Sequence, residues 1–316
     1  MRTRPDSLPF CAYPTAAEVD QHGIQPLPER LPVTDLTGGA DYRSHEHETT
    51  PAAEVSDPQL VELTHVLGDS FARRDVMCRH LRPGHPPADV ADATHRDPFG
   101  SSEFGAWTRT QLMTWFIRLI ALTDPTSPRD AVMINEDVRA HSLVTLDNSG
   151  RVIGGAINET MPPPDLDPAF RQDDTFLDAA LAYIAPIMDM VGHQEAEAAA
   201  VLADRYPGFA DALAAGRVGH HFMIGRGDGL PRDDAFELTA ATMEHFRDTG
   251  FSYVIVEAAK QWTGAACEAL GGVRVHFAPY RTQPVVPING EGTTSPDGFL
   301  SDKDSGCMLY LHQLTE

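Results

Sequence analysis

The run Val218-Gly219-His220-His221-Phe222-Met223-Ile224-Gly225-Arg226-Gly227-Asp228-Gly229-Leu230-Pro231 and the later run Tyr253-Val254-Ile255-Val256-Glu257-Ala258 decide how this chain folds. His220 to Ile224 is an apolar-rich stretch of strand length, and the glycines and proline behind it are a dense turn signal. A helix follows. Asp233 and Asp234 suit its N-terminus, Phe236, Ala240, Met243 and Phe246 recur at helical spacing, and Gly250 ends it. Tyr253 to Val256 is too short for a helix and rich in β-branched residues, as expected of a strand covered on both faces. A second helix is expected from about Thr263, as its cap, to Gly271. Strand, helix and strand in about 35 residues make a crossover unit, whose two strands pair in parallel. A glycine-rich turn before a helix can cradle an anion on its amides, or can be a tight turn and nothing more. The dinucleotide and P-loop spacings are both absent.

Outward from that unit the chain is ordinary in composition and unusual in charge. It has 316 residues, 42% hydrophobic, with 46 acidic against 24 basic side chains and a formal charge of −22. That length suffices for a sizeable core, and that charge argues against nucleic acid or an anionic membrane surface as a partner. It also draws cationic ligands such as amines. Cys11, Cys78, Cys267 and Cys307 have no C-x-x-C spacing, so neither a disulfide framework nor a zinc knuckle is expected, and no metal is assigned. A reduced, cytoplasmic setting is the expectation, with no secretory leader and no membrane span visible.

Residues 1–40 hold six prolines and Gly38-Gly39 and read as an extended arm laid on the domain formed by 41–316, or as a partly disordered one. A strand over 42–49 carries His45-x-His47, which suits either a metal or a polar edge strand. Leu60, Leu63, Val66, Leu67, Phe71 and Val76 mark an amphipathic helix over 57–81, and Trp107 to Ile120 mark another over 103–122. The aromatic residues of the latter can line a pocket or pack a core. The stretch 142–157 is strand, Asp147-Asn148-Ser149-Gly150 turn and strand. A helical insertion at about 165–215 comprises helices at 175–190 and 194–203 joined near Gly192-His193, then Tyr206-Pro207 and a short turn of helix. Strands over 273–280 and 307–314 close the chain. The fold class is therefore mixed α/β, a sheet flanked by helices.

Four pieces, in this order, resemble the GNAT superfamily of acyl-CoA-dependent N-acyltransferases, and within it the arylalkylamine N-acetyltransferase-like branch. Phe71-Ala72-Arg73-Arg74-Asp75-Val76-Met77 is similar to the branch's F-x-x-x-E-P-L/M. Ser142-Leu143-Val144-Thr145-Leu146 with Val152-Ile153-Gly154-Gly155-Ala156 resembles its second and third strands. Arg205-Tyr206-Pro207 resembles the R-Y-P before its fourth strand, and Val256 through Gly271 resembles its fifth strand and fourth helix. The similarity spans about residues 55–315.

The resemblance implies acyl transfer from acetyl-CoA or another acyl-CoA to a small-molecule primary amine, by a monomer or homodimer. It places the pantetheine arm between splayed fourth and fifth strands and the pyrophosphate on the following helix. The implied binding residues are Phe222, Met223, Ile224, Gly225, Arg226, Gly227, Gly229, Arg232, Ala235 and Thr263. The family's R/Q-x-x-G-x-G/A would fall at 230–235 or 232–237, yet neither frame holds its two glycines. Ala235 stands for one small residue, and Asp233 and Asp234 put carboxylates where phosphates would land, with Arg226 or Arg232 to offset them.

Acylation needs a proton acceptor for the amine and a donor for the departing thiolate. Asp75 matches the acid of the first motif, or is a helix-surface residue. His221 or His220 is a base or a core histidine, and one of the two must face each side of the sheet. Thr263 meets the thioester end or caps its helix. Cys267 is the acid where many GNAT enzymes carry tyrosine, or a buried thiol. Two alternatives keep the fold and change the function: a GNAT-shaped binding or regulatory protein that has lost CoA, or an enzyme with a different acyl donor.

Overall fold

The computed structural model describes residues 24–34, 36, 47–74, 109–121, 135–162, 175–228, 230, 234–279 and 306–315. Among these residues seven strands form one sheet: β1 (His47–Pro51), β2 (Leu143–Asp147), β3 (Val152–Met161), β4 (Val218–Arg226), β5 (Tyr253–Ala258), β6 (Val273–Pro279) and β7 (Gly306–Gln313). Their order is β1-β2-β3-β4-β5-β7-β6. Every neighbouring pair is antiparallel except β4 and β5. That exception follows from the crossover, since α6 (Asp234–Asp248) carries the chain back along the sheet between them. The mixed α/β sheet expected from the sequence is the one observed.

Local chemistry sets the corners. Asp147 Oδ1 accepts from the amides of Ser149 at 2.9 Å and Arg151 at 3.1 Å, and Gly150 supplies the positive φ of 80° that closes the β2–β3 turn. α7 (Gln261–Ala269) ends as its glycine predicts: Gly271 has φ of 84°, and the Gly272 amide donates to Cys267 O at 2.8 Å. Its start differs from expectation. Lys260 is the N-cap and Thr263 the third helical residue, because the chain turns helical directly after the strand and leaves the threonine hydroxyl inside.

Two helical layers cover the sheet, and β5 shows how the sequence sorts them. Tyr253 and Ile255 face α4 (Thr175–Arg205) and α5 (Pro207–Ala214), in a cluster with Leu202 and Phe209. Val254, Val256 and Ala258 face α6 and α7, among Met243, Phe246 and Ala265. On the first face α1 (Asp57–Arg74) and α2 (Arg109–Ala121) pack through Leu60, Leu63, Leu67, Phe116 and Ile117. α3 (Glu136–His141) has no counterpart in the reading of the sequence; Asn135 caps it, accepting from Asp137 and Val138. No described helix is long and apolar enough to cross a membrane.

α4 corrects another expectation. It is one helix of 31 residues and does not break at Gly192-His193, since Gly192 is exposed with nothing near its Cβ position. A glycine there costs about 1 kcal/mol, which packing of the flanking turns offsets. Of the strand expected over 42–49 the described part is His47 onward, within β1, and the first helix is described only as far as Arg74. Residues 24–34 touch the far side of the sheet: Gln25 N donates to Val275 O at 2.7 Å, and beyond the last β6 pair at Leu311 the Thr34 amide donates to Gln313 O at 2.6 Å.

Gly155 fixes the approach of α1 to the sheet. A Cβ there would sit 2.4 Å from Leu143 O and 2.6 Å from Leu63 Cδ1, and the first neighbour is backbone that cannot rotate away. Gly155→Ala is therefore expected to destabilise the protein by about 1–3 kcal/mol, the usual cost of overpacking. A denaturant midpoint equal to that of the unaltered chain would show that α1 is not seated on β3.

Candidate active site

The parallel ladder between β4 and β5 is short. It runs through Val218↔Tyr253, Gly219↔Val254, His220↔Ile255 and His221↔Val256, and stops there. Both strands continue, apart: β4 pairs with β3 as far as Arg226↔Gly154, and β5 pairs with β7 as far as Ala258↔Met308. A bulge sits at the point of divergence. His221 faces Asn158 and Met223 faces Ile157, so Phe222 is an extra residue in β4. Such a residue bends its strand and resets the alternation of side chains. Gly219, on the α6 face, has Phe246 over it, yet Gly225 has Leu67 and Ser70 of α1 over it, six residues on and on the opposite face.

At the apex of this split a charged cluster lies on the α1–α4 face. β3, β4 and β5 each point one polar side chain the same way, Glu159, His220 and Glu257, and α4 lays Glu195 across them. The His220 Nδ1–H donates to Glu159 Oε1 at 2.9 Å. Nε2 lies 2.5 Å from Glu257 Oε2 and 3.4 Å from Glu195 Oε1. Side-chain exposures of 2% for His220 and 5% for Glu257, against 15% for Glu195, place the ring at the bottom and Glu195 nearest water. Burial disfavours charge on the ring, but Glu257 and Glu195 oppose that by their charge, and hydrogen bonds to Glu159 and Glu257 add to it. The imidazole is held well above its ordinary value. Glu195 is pushed up to about 8, first by its own burial and then by the charge of Glu257. Glu257 Oε1 is buried with no hydrogen-bond partner. Three carboxyl groups around one ring, with one oxygen unmatched, are costly as pure structure. Phe222 closes one side, its ring centre 4.9 Å from that of His220.

No family model matches the chain, and no curated protein matches it. Solved structures do. The C-terminal condensation domain of Ebony, solved in complex with beta-alanyl-dopamine, aligns at 13% identity and a TM-score of 0.52, over 84% of this chain and 98% of that one. Arylalkylamine N-acetyltransferase 2 from Aedes aegypti aligns at 12% identity and 0.51, over 85% and 99%. Arylalkylamine N-acetyltransferase 7 from the same mosquito aligns at 13% identity and 0.53, over 89% and 92%.

The chain has the GNAT fold.

Against that GNAT frame the candidate residues separate. Phe222, Met223, Ile224 and Gly225 lie on β4 past its last pair with β5, the position the resemblance gives the acyl-CoA arm. Met223 and Ile224 spend their side chains on packing, the first in the α1–α2 core and the second beside Leu238 and Ala241 of α6. Arg226 Nη1 donates to Leu230 O at 2.5 Å, and the Gly227 amide donates to Ile153 O at 2.7 Å, so both residues hold the loop in place. Ala235 is the second residue of α6. Gly229, Arg232 and Asp75 lie outside the described residues. Thr263 is buried in the first turn of α7. Phe71, four residues before Asp75, lies beside the β5–α7 junction: Lys260 Nζ is 5.6 Å from its ring centre and 5.8 Å from that of Trp262.

His221 and Cys267 are placed differently from what catalysis asks. His221 points to the opposite face from His220, with Nδ1 2.7 Å from Asn158 Oδ1 and Nε2 buried without a partner. Burial first, then the nearby His220 and His312, lower it to about 3. A ring lowered in this way is a weak proton acceptor, and it lies across the sheet from the carboxylate cluster. Cys267 is sealed in the apolar cluster with Leu270, Met308, Tyr310 and Phe246, where a thiol packs. Glu159, Glu195 and Glu257 were not singled out from the sequence. Glu257 stands inside the motif that carries the resemblance, and Glu159 two residues beyond the predicted strand end. Glu195 gives no sequence signal.

Proposed function

We propose that this GNAT-fold chain is an N-acyltransferase that moves an acetyl or other acyl group from acyl-CoA to a primary amine. The observation that supports it most is the early end of the β4–β5 ladder, with a bulge at Phe222 and a polar cluster at the apex. A thioester arm laid along residues 222–225 would meet open β4 backbone and reach the apex at its acyl end. There the amine, having given its ammonium proton to solvent, attacks the thioester carbon, the carbon–sulfur bond breaks, and the thiolate leaves and takes a proton from solvent. The proton shed by the amine as it attacks goes to Glu257, whose buried Oε1 is unmatched, directly or through one water. Asp75, from its place in the first motif, is the second candidate acceptor, and Thr263, from its place in the motif of the fourth helix, is the candidate to meet the thioester end. The acidic surface favours a cationic amine as acceptor.

A different acyl donor is the second reading, and one feature favours it. Between Leu230 and Glu237 the chain offers a single small residue and two aspartates in place of the glycines of the family's phosphate loop. Thiol release from acetyl-CoA, screened with arylalkylamines, polyamines and amino acids, decides between them. Turnover well above the amine-free rate with at least one class is the expected result. Silence with every acceptor, from protein that is folded, would remove acyl-CoA as the donor.

A further inference from the structure

We propose that Glu195, His220 and Glu257 bind one divalent transition-metal ion, with Glu159 as the carboxylate that orients the ligating imidazole. The cluster offers His220 Nε2 and one oxygen from each of Glu195 and Glu257, all within 4.8 Å of one another. Bonds of about 2.0–2.2 Å in a tetrahedral site put ligand atoms roughly 3.3–3.6 Å apart. The 3.4 Å from Nε2 to Glu195 Oε1 fits that edge as it stands, and the 2.5 Å to Glu257 Oε2 needs to open by about 1 Å. The other ring nitrogen donates to Glu159, the arrangement by which a metal-binding imidazole is held in one tautomer.

A second observation points the same way. Glu257 is 5% exposed and its Oε1 has no hydrogen-bond partner, so this carboxylate keeps lone pairs that the protein leaves unmatched. The three ligands come from β4, β5 and α4, so separate elements of the fold bring them together. One imidazole and two carboxylates suit zinc, manganese or iron. The ion would bind Glu257, the carboxylate assigned above to proton acceptance, so metal binding and acyl transfer exclude each other. The proposal does not rest on the acyltransferase reading, because it is measured with neither amine nor acyl donor present.

The test is calorimetric titration of the chelator-stripped full chain with Zn²⁺, with X-ray absorption of the zinc-loaded protein. One ion per chain, a raised melting temperature, and a shell of one imidazole with oxygens and no sulfur are expected. Glu195→Gln is expected to weaken binding at least about 10-fold. Glu197→Gln, on the same helix but 3.4 Å from His276 rather than His220, leaves it unchanged. No saturable binding, equal affinity in folded Glu195→Gln protein, or a shell of several imidazoles or sulfur would overturn the assignment. The absorption spectrum comes from the unaltered chain, so it decides the matter even if Glu195→Gln fails to fold.

Discussion

Glu257→Gln is expected to lower kcat for amine acylation by about 10²–10⁴-fold, the range that a positioned proton acceptor supplies, and to leave affinity for acetyl-CoA within about twofold. The amide is almost isosteric with the carboxylate and can still accept from a neighbour. It cannot take a proton from the attacking amine. The choice of Glu257 over its neighbours follows from position and from their proton occupancy. Glu195, at about 8, keeps its proton at neutral pH because burial and the charge of Glu257 hold it there. The carboxylates around His220 hold it well above its ordinary value, so in the metal-free protein the ring favours its protonated form and is no acceptor; a bound ion would have to displace that proton. His221 is on the wrong face. Burst and steady-state kinetics with one competent amine make the measurement. A loss confined to KM would mean that the carboxylate binds the amine and takes no part in proton transfer.

Acid destabilises this fold, and the second large effect is expected at His312. Its ring is fully buried on β7 with Nδ1 3.2 Å from Thr34 Oγ1 and Nε2 unpartnered, and burial lowers it to about 4. The unfolded ring takes up a proton near 6.5. Below that pH the unfolded state binds one proton more than the native state, so stability present above about 6.5 is lost as pH falls towards 4. The loss is about 1.4 kcal/mol per pH unit, roughly 3 kcal/mol by pH 4.5. His221, lowered to about 3, acts in the same direction, whereas Glu195, raised to about 8, acts against it because its native form keeps a proton that the unfolded form gives up. Comparing the chain with His312→Asn in urea between pH 7.5 and 4.5 cancels those shared terms. The stability gap between them is expected to shrink by about 1.4 kcal/mol per pH unit below 6.5. A gap that is constant with pH would mean that the buried ring titrates as it does in water.

The framework of the sheet was legible because its signals are local. Asp147-Asn148-Ser149-Gly150 makes a hairpin through its own side-chain hydrogen bonds, and Gly250 and Gly271 stop their helices with φ of 95° and 84°. The unbroken run of Tyr253 to Val256 announces a strand buried on both faces, and burial of each of these residues agrees. The site was less legible, for two reasons. The bulge at Phe222 depends on how β4 meets Ile157 and Asn158 of β3, and nothing within His220 to Ile224 states it. The cluster is assembled from residues 159, 195, 220 and 257, and α4 delivers Glu195 only because that helix runs on through Gly192 to lie across the sheet. His220 and His221 were seen to face opposite ways, but the carboxylates that make them unlike come from other elements.

The proposed acyl transfer requires an acyl-CoA arm lying in the cleft where β4 leaves β5. Amide hydrogen exchange of the full chain, with and without saturating acetyl-CoA, addresses that place directly. Slower exchange across residues 222–226 and at the start of α6, with the rest of the sheet unchanged, is the predicted result. Exchange unaltered there at millimolar acetyl-CoA, or protection confined to another surface, would contradict it.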